Sequence, residues 1–470
     1  MASISRRIGL GTLGLLTGLA GPRLAAQSWS VLASDPVGIA RSGAGVAYGN
    51  SLEAAALNPA LLASLRDRAS AFVAIGQELQ ITHITLQSNS TTNSSTDRNR
   101  SLPSFGAAWH PEGSWALGVK LDEPFMRHLE MPVQAPVQLY QALPMLVVSR
   151  FEGQALSLET HRLEAQAAWS CSPSWSFGAS LGMTQIQYDW ANMVRVPVTE
   201  TAALPVSATN PAQALMELGI QQGGSKVVPS YSLGFRWAIS SRWTVAGAYV
   251  SALHANMDLH TGISPIPAYY YATSGYGQAP IGISSFGPAI AALSQVHPGS
   301  DRLVLPGKAT LGLRQRVNSL LTWEADLRYT QGKESAVPGY PSLAGPNGTV
   351  SGSGMSQNFK NAVGVSAMGE LTLSKTVVLR IGCSEDGALR ATSDIEPMLG
   401  GGASFTASGG FGYKVFGGEL NLGYMFRKSQ TVQNNNLDLS WDLNGQHSVG
   451  DLSQVEGMGH LWSVGFKKAF

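Results

Sequence analysis

Few residues in this chain are spaced to do covalent chemistry. The nine histidines are scattered, and no His-Glu-x-x-His element occurs. No acid and base pair up locally either, so an enzyme is not expected. Cys171 and Cys383 are the only cysteines. They lack zinc-like spacing and are too few for a disulfide scaffold, and whether they bridge is left open. No metal or cofactor is expected. What the sequence does offer is charges held in rows and apolar side chains where a loop should be polar. From Leu321 to Thr330, Glu324, Asp326 and Arg328 share one face of an extended strand, while Trp323, Ala325, Leu327 and Tyr329 share the other. The stretch Ile263 to Val296 carries Tyr269, Tyr270, Tyr271, Tyr276, Phe286 and Ile290. That is too apolar for a loop that only meets water, and it reads either as a mini-core or as an external landing groove for a hydrophobic ligand. Asn210-Pro211 is expected to open a short helix with Leu215, Met216, Leu218 and Ile220 on one side.

The elements that hold these residues read as strands. Glu419–Arg427 repeats the alternation of Leu321–Thr330, and Trp175–Met183 and Trp243–Ser251 do so with more Gly and Ala. A charged face turned to lipid would cost roughly 2–4 kcal/mol per midplane Arg, so that face is expected to line a lumen. Trp175, Trp243, Trp323 and Trp462 are expected to form interfacial girdles at strand ends. Short polar breaks (172–174, 240–242, 318–319, 374–375) alternate with long connections, as periplasmic turns alternate with extracellular loops. Charged residues are only 13%, Gly is 53 of 470, and the net charge is +1. This composition suits a lipid-facing β wall and gives no electrostatic case for nucleic acid.

Both ends point to the same compartment. Arg6-Arg7, an apolar run from Ile8 to Ala20 and a small-residue site at Leu24-Ala25-Ala26 read as an export signal covering residues 1–26. No run of ~20 apolar residues follows, so a membrane would be crossed by strands. The end, His460 to Phe470, alternates Trp462, Val464 and Phe466 with small or polar residues and stops on Phe470. It resembles the closing strand of bacterial outer-membrane barrels, whose terminal aromatic is read by the assembly machinery. Lys468 interrupts that face and is expected to snorkel to water.

Between the signal and the first strand lies an Ala-rich segment, Ser42 to Leu62, broken at Asn58-Pro59-Ala60. With Pro103-Ser104-Phe105, Trp115 to Val119, Pro124-Phe125, Leu305-Pro306, Phe359-Lys360-Asn361-Ala362 and Leu379 to Gly382 following in order, the chain resembles the FadL family of outer-membrane long-chain fatty acid transporters. The resemblance covers most of the mature chain. It implies an all-β transmembrane antiparallel barrel of about 14 strands over residues 69–470, with a partly helical N-terminal hatch at 27–68. It also implies passive diffusion of long-chain fatty acids or related hydrophobic molecules, with lateral exit into the membrane. Partners would then be these small molecules, outer-membrane lipids and, during insertion, the barrel assembly machinery, in the bacterial outer membrane. By resemblance, Lys360 and Phe359 face the cargo head group, Leu215, Met216, Tyr270 and Phe286 belong to the capture groove, and Asn58, Pro59 and Ala60 lie near the lateral gap as gate. Two departures stand out: Met126 where relatives have Gly, and Asn361 where they have Asp. With no glycine beside Pro124, the place of any wall opening is left unfixed. A hydrocarbon channel and a structural or shuttle barrel of a secretion system remain alternative readings.

Overall fold

The computed structural model describes residues 30–49, 51–86, 92–96, 100–111, 113–130, 155–198, 214–265, 297–339, 343–345, 348–350, 358–390, 402–434 and 453–470. The export signal lies outside them, as do Tyr270 and Phe286 of the proposed capture loop.

Fourteen antiparallel strands close into a barrel. They are β1 (Ala69–Leu86), β2 (Thr92–Thr96 and Arg100–Trp109), β3 (Trp115–Asp122 and Met126–Glu130), β4 (Ala155–Ser170), β5 (Trp175–Val198), β6 (Ala214–Ala238) and β7 (Trp243–Val250 and Leu253–Pro265). The other half comprises β8 (His297–Leu305 and Lys308–Arg316), β9 (Leu321–Thr330), β10 (Ala362–Thr372), β11 (Val377–Asp386), β12 (Ser404–Val415), β13 (Gly418–Ser429 and Val432–Asn434) and β14 (Ser453–Ala469). Closure runs from Ser70↔Ala469 to Leu86↔Ser453, so β1 and β14 leave no edge along that seam. Short turns link neighbouring strands at the end that holds Phe470: Ala69 N–H donates to Phe470 O at 3.4 Å, His110 N–H to Arg68 O at 2.8 Å, and Ala238 N–H to Ser174 O at 2.8 Å. By the turn-length rule this is the periplasmic end.

Side-chain alternation decides what faces lipid. On β9 Leu327 and Tyr329 are exposed while Glu324, Asp326 and Arg328 are buried, and on β14 Trp462 and Val464 alternate with buried Leu461 and Ser463. Aromatic residues gather at the periplasmic strand ends: Trp175 stacks on Trp237 (5.1 Å between ring centroids), Trp115 on Trp169 (6.1 Å), and Trp243 meets Trp323 edge-on at 5.9 Å. Trp462 instead sits inside β14, level with Gln77, to whose Oε1 its Nε1 donates at 3.2 Å. Cys171 and Cys383 are both free thiols.

The expected helix around Leu215 and Met216 is not there. Residues 214–220 belong to β6, whose backbone pairs with β5 from Asn192↔Ile220 to Val198↔Ala214. A continuous ladder with the neighbouring strand satisfies every backbone group along that edge and overrides the local apolar spacing that suggested a helix.

Residues 30–65 lie against the inward faces of the wall. Helix α1 (Pro36–Ala40) packs on β11 to β14, helix α2 (Leu52–Ala55) on β1 and β2, and a 3-10 turn (Pro59–Ser64) on β3 to β6. Leu52, Leu61, Leu62 and Leu65 bury themselves against Phe72, Ala108, Ala116 and Ala168. Two inward glycines make the approach possible: a Cβ on Gly178 would collide with the backbone of Pro59 and Ala60, and one on Gly423 with the Pro36 carbonyl.

Candidate functional site

The lumen lining changes along the barrel axis. On β4, β5 and β7 the inward positions towards the outside are mainly apolar: Leu156 and Leu158 on β4, Ile186 and Tyr188 on β5, Met257 and Leu259 on β7, all buried. Continuing down the same strands, the inward positions become Thr160, Arg162 and Glu164 on β4 and Thr184, Ser180 and Ser176 on β5. The charges there are paired: Arg162 with Asp122 (2.5 Å), Lys120 with Glu164 (3.2 Å), Arg328 with Asp386 (2.7 Å), Arg380 with Glu370 (2.8 Å).

The amino-terminal segment docks onto this polar half. Glu324 Oε1 accepts from Ala47 N–H at 2.6 Å, and Asp326 Oδ2 accepts from Gly45 N–H (2.9 Å) and Val46 N–H (3.3 Å). Arg41 pairs with Glu370 at 2.8 Å, and the Tyr48 hydroxyl also donates to Glu370. Asn58 caps its turn by accepting from Ala60 N–H at 3.0 Å, while its amide donates to Val46 O (2.9 Å) and Phe235 O (3.1 Å). The Ala60 carbonyl accepts from Ser176 Oγ at 3.1 Å. The Asn-Pro-Ala element therefore anchors the segment on β5 and β6.

At the level where the lining changes, two ladders break. Between β2 and β3 the pairing stops at Phe105↔Leu121, and β3 is interrupted at Glu123-Pro124-Phe125. The freed backbone groups are taken up by others: Phe125 N–H donates to Thr160 Oγ1 (2.9 Å), Thr160 Oγ1 donates to Phe125 O (2.7 Å), and Val31 N–H donates to Pro124 O (3.1 Å). Ser30 forms an antiparallel bridge with Phe125. These partners explain how the chain breaks at Pro124 without a neighbouring glycine. Between β6 and β7 no ladder pair spans residues 224–231 and 251–259, and Lys226 and Asp258 bridge that break at 2.5 Å. Its outward residues His254, Asn256 and Asp258 are exposed and polar.

An interior cavity of about 110 Å³ lies directly behind the β3 break. Val31, Leu32, Leu57, Phe72, Leu121 and Phe125 give it apolar walls, Asp35, Asp122, Glu123, Arg162, Asp326 and Arg328 line the rest, and Lys308 enters it from β8. The half-buried Lys308 ammonium donates to Ser30 Oγ at 2.7 Å and has no ion-pair partner among the described residues. Among the same residues no cluster of three or more metal-ligating groups occurs.

Lys360 does not point into this cavity. It is exposed at the outer end of β10, and its backbone N–H donates to Leu389 O at 2.6 Å. Phe359 beside it is buried, with the Arg390 guanidinium 5.1 Å over its ring. The chain offers one signal for Lys308 that sequence reasoning passed over: a cation directly after Leu303-Val304-Leu305-Pro306-Gly307. Ser30 and Thr160 carry no comparable signal.

A family model described as outer membrane protein transport protein (OMPP1/FadL/TodX) matches residues 20–470. The chain belongs to this FadL/TodX family. Family barrels reside in the bacterial outer membrane and transport hydrophobic substrates, aromatic hydrocarbons among them. The fold is similar to that of a Pseudomonas aeruginosa FadL homologue, with 15% identity, 94% of this chain and 100% of that chain covered, and a TM-score of 0.72. It is also similar to the Ralstonia pickettii toluene transporter TbuX (14%, 93% and 98%, 0.62) and the P. putida toluene transporter TodX (13%, 93% and 99%, 0.63). No curated protein matches the chain in sequence.

Within this FadL/TodX-type barrel the docked segment carries a buried acid. Asp35 caps α1 by accepting from Gly38 N–H at 2.8 Å. Burial, reinforced by the Glu53 carboxylate, pushes its carboxyl up to about 6 against the opposing Gly38 N–H and Arg41. An acid raised on docking binds more protons docked than free, so its favourable contribution is full below about pH 4 and is lost as pH rises through 6. Asp35→Asn keeps the cap and removes this dependence. It should strengthen docking at pH 7.5 by up to about 3 kcal/mol, with little change at pH 4. Hydrogen exchange of residues 36–49, corrected for intrinsic rates, reads this directly. Equal protection of both proteins at pH 7.5 would contradict it.

Proposed function

We propose that this barrel carries amphipathic hydrocarbon chains with an anionic head, long-chain fatty acids being the type, from the cell exterior to the outer membrane by a lateral route. The observation that carries the reading is the coincidence, at one level of the barrel, of three features: the end of the apolar lining, the β2–β3 break, and a cavity with an unpaired cation. Moving a sixteen-carbon chain through a water-filled polar lumen costs on the order of 12 kcal/mol, at about 0.8 kcal/mol per CH₂. The polar, plugged lower half is therefore closed to such cargo, and lipid beside the break is the favourable destination. The β6–β7 break fits this role poorly because its outer face is polar.

Lys308 holds the head group in this reading, and the exposed Lys360 meets it at the outer rim. A carboxylate on Lys308 competes with Ser30 Oγ for the same ammonium. Arrival of cargo then loosens the strand-like contact of Ser30 and Val31 with Pro124 and Phe125. The gate is assigned to Ser30-Val31, and Asn58, Pro59 and Ala60 are assigned to anchoring the segment. A neutral hydrocarbon shares the apolar path but gains nothing from Lys308.

Lys308→Met discriminates the cargo classes. A charge-assisted hydrogen bond contributes about 1.5–3 kcal/mol, so half-saturation for oleate uptake should rise roughly 10-fold or more. Toluene uptake should stay within about twofold. Unchanged oleate uptake removes the head-group role, and a wild-type barrel that passes toluene but not oleate turns the reading to neutral hydrocarbons.

A further inference from the structure

We propose that the cleft between the amino-terminal segment and the wall at the periplasmic end is a binding site for a phosphate group. The inference does not depend on the cargo path. The cleft has a volume of about 540 Å³ and is lined by Arg66 of the segment and by Arg236 and Arg314 of β6 and β8. Ser114, Ser170 and Ser172 from the short turns and strand ends complete its wall side. No carboxylate lines it.

What sets these three arginines apart is their lack of counter-charge. Elsewhere in the lumen Arg41, Arg162, Arg328 and Arg380 each pair with an acid at 2.5–2.8 Å. Arg66, Arg236 and Arg314 have no ion-pair partner among the described residues. The Nε atoms of Arg236 and Arg314 are buried and have no hydrogen-bond partner. Arg314 does lie over the Tyr48 ring, 4.4 Å from its centroid, which orients the guanidinium without satisfying its N–H groups. Two guanidinium groups side by side without a counter-charge repel each other, and an anion in the cleft offsets that repulsion. Gly49 keeps the space open: a Cβ there would come within 3.0 Å of Ser64 Oγ and 3.6 Å of Arg236 Nε.

Three guanidinium groups and a set of hydroxyls suit a tetrahedral oxyanion with several acceptor oxygens and more than one negative charge. A soluble phosphate ester and a phospholipid head group of the inner leaflet present the same chemistry. Because Arg66 belongs to the segment and Arg236 and Arg314 to the wall, the bound group bridges the two and holds the segment docked.

The test is calorimetric titration of inorganic pyrophosphate into the full chain at constant ionic strength, in nanodiscs of phosphatidylcholine with or without phosphatidylglycerol. Saturable binding in the neutral discs is expected, weakened at least tenfold in Arg236→Gln/Arg314→Gln. Ser172→Asp serves if that double variant does not fold. Asp preserves the turn's side-chain acceptor, which Ser172 Oγ presents to Ser174 and Trp175 N–H, while placing a carboxylate in the cleft, and it too should weaken binding at least tenfold. Weaker apparent binding in the anionic discs identifies a lipid head group as occupant, and equal binding in both identifies a free phosphate. No binding to the wild type at millimolar pyrophosphate, or equal binding by wild type and variants as for an adventitious ion only, overturns the proposal.

Discussion

Cells carrying Glu324→Leu/Asp326→Leu are expected to become leaky to small hydrophilic solutes. The two carboxylates together receive the N–H groups of Gly45, Val46 and Ala47, at 2.6 to 3.3 Å, in a buried interface. A buried hydrogen bond contributes about 0.5–1.5 kcal/mol net and one to a charged acceptor about 1.5–3, so losing three removes roughly 3–5 kcal/mol of docking. The three backbone donors are then left buried without partners, which favours undocking further. The β9 ladder, from Lys308↔Thr330 on one side to Thr330↔Ala362 on the other, uses backbone groups only, so the barrel itself should assemble. Single-channel conductance in planar bilayers is the readout: wild type closed, double leucine variant open. Glu324→Gln/Asp326→Asn keeps carbonyl acceptors in place and should remain largely closed. A leucine variant as tight as wild type would show that apolar packing of Leu61, Leu62 and their neighbours holds the segment alone.

Much of this architecture was legible because barrel strands declare themselves locally. On β9 the alternation of polar and apolar residues is complete within ten residues, and the structure puts Glu324, Asp326 and Arg328 inside as that pattern requires. What was not legible depends on register between distant segments. That Asp326 serves Gly45 involves residues 281 positions apart in the chain. The pairing of Ser30 with Phe125 likewise leaves no trace in either stretch. Leu215 and Met216 misled for a related reason: their spacing favours a helix, but β5 offers an edge that spacing cannot reveal. Lys360 was assigned by resemblance and lies exposed before β10, whereas Lys308, marked only by its place after Pro306-Gly307, lines the cavity.

The proposed lateral gate at Ser30-Val31 has the second large expected effect and carries the central claim. Ser30 and Phe125 are bridge partners in antiparallel register. Such Cα atoms lie roughly 4.5–5.5 Å apart, within disulfide reach. Ser30→Cys/Phe125→Cys, in a Cys171→Ser/Cys383→Ser background, should form a bond that pins the segment across the β2–β3 break. Cargo can then still descend the apolar outer half but cannot leave sideways, while the paired charges and the docked segment block the way down. The measurement is uptake of labelled oleate by cells carrying the oxidised and the reduced protein, with surface binding followed in parallel and cross-linking confirmed by mass spectrometry. The account predicts uptake lowered at least 10-fold on oxidation, retained surface binding, and recovery on reduction. Full oleate uptake through a quantitatively cross-linked barrel would contradict it.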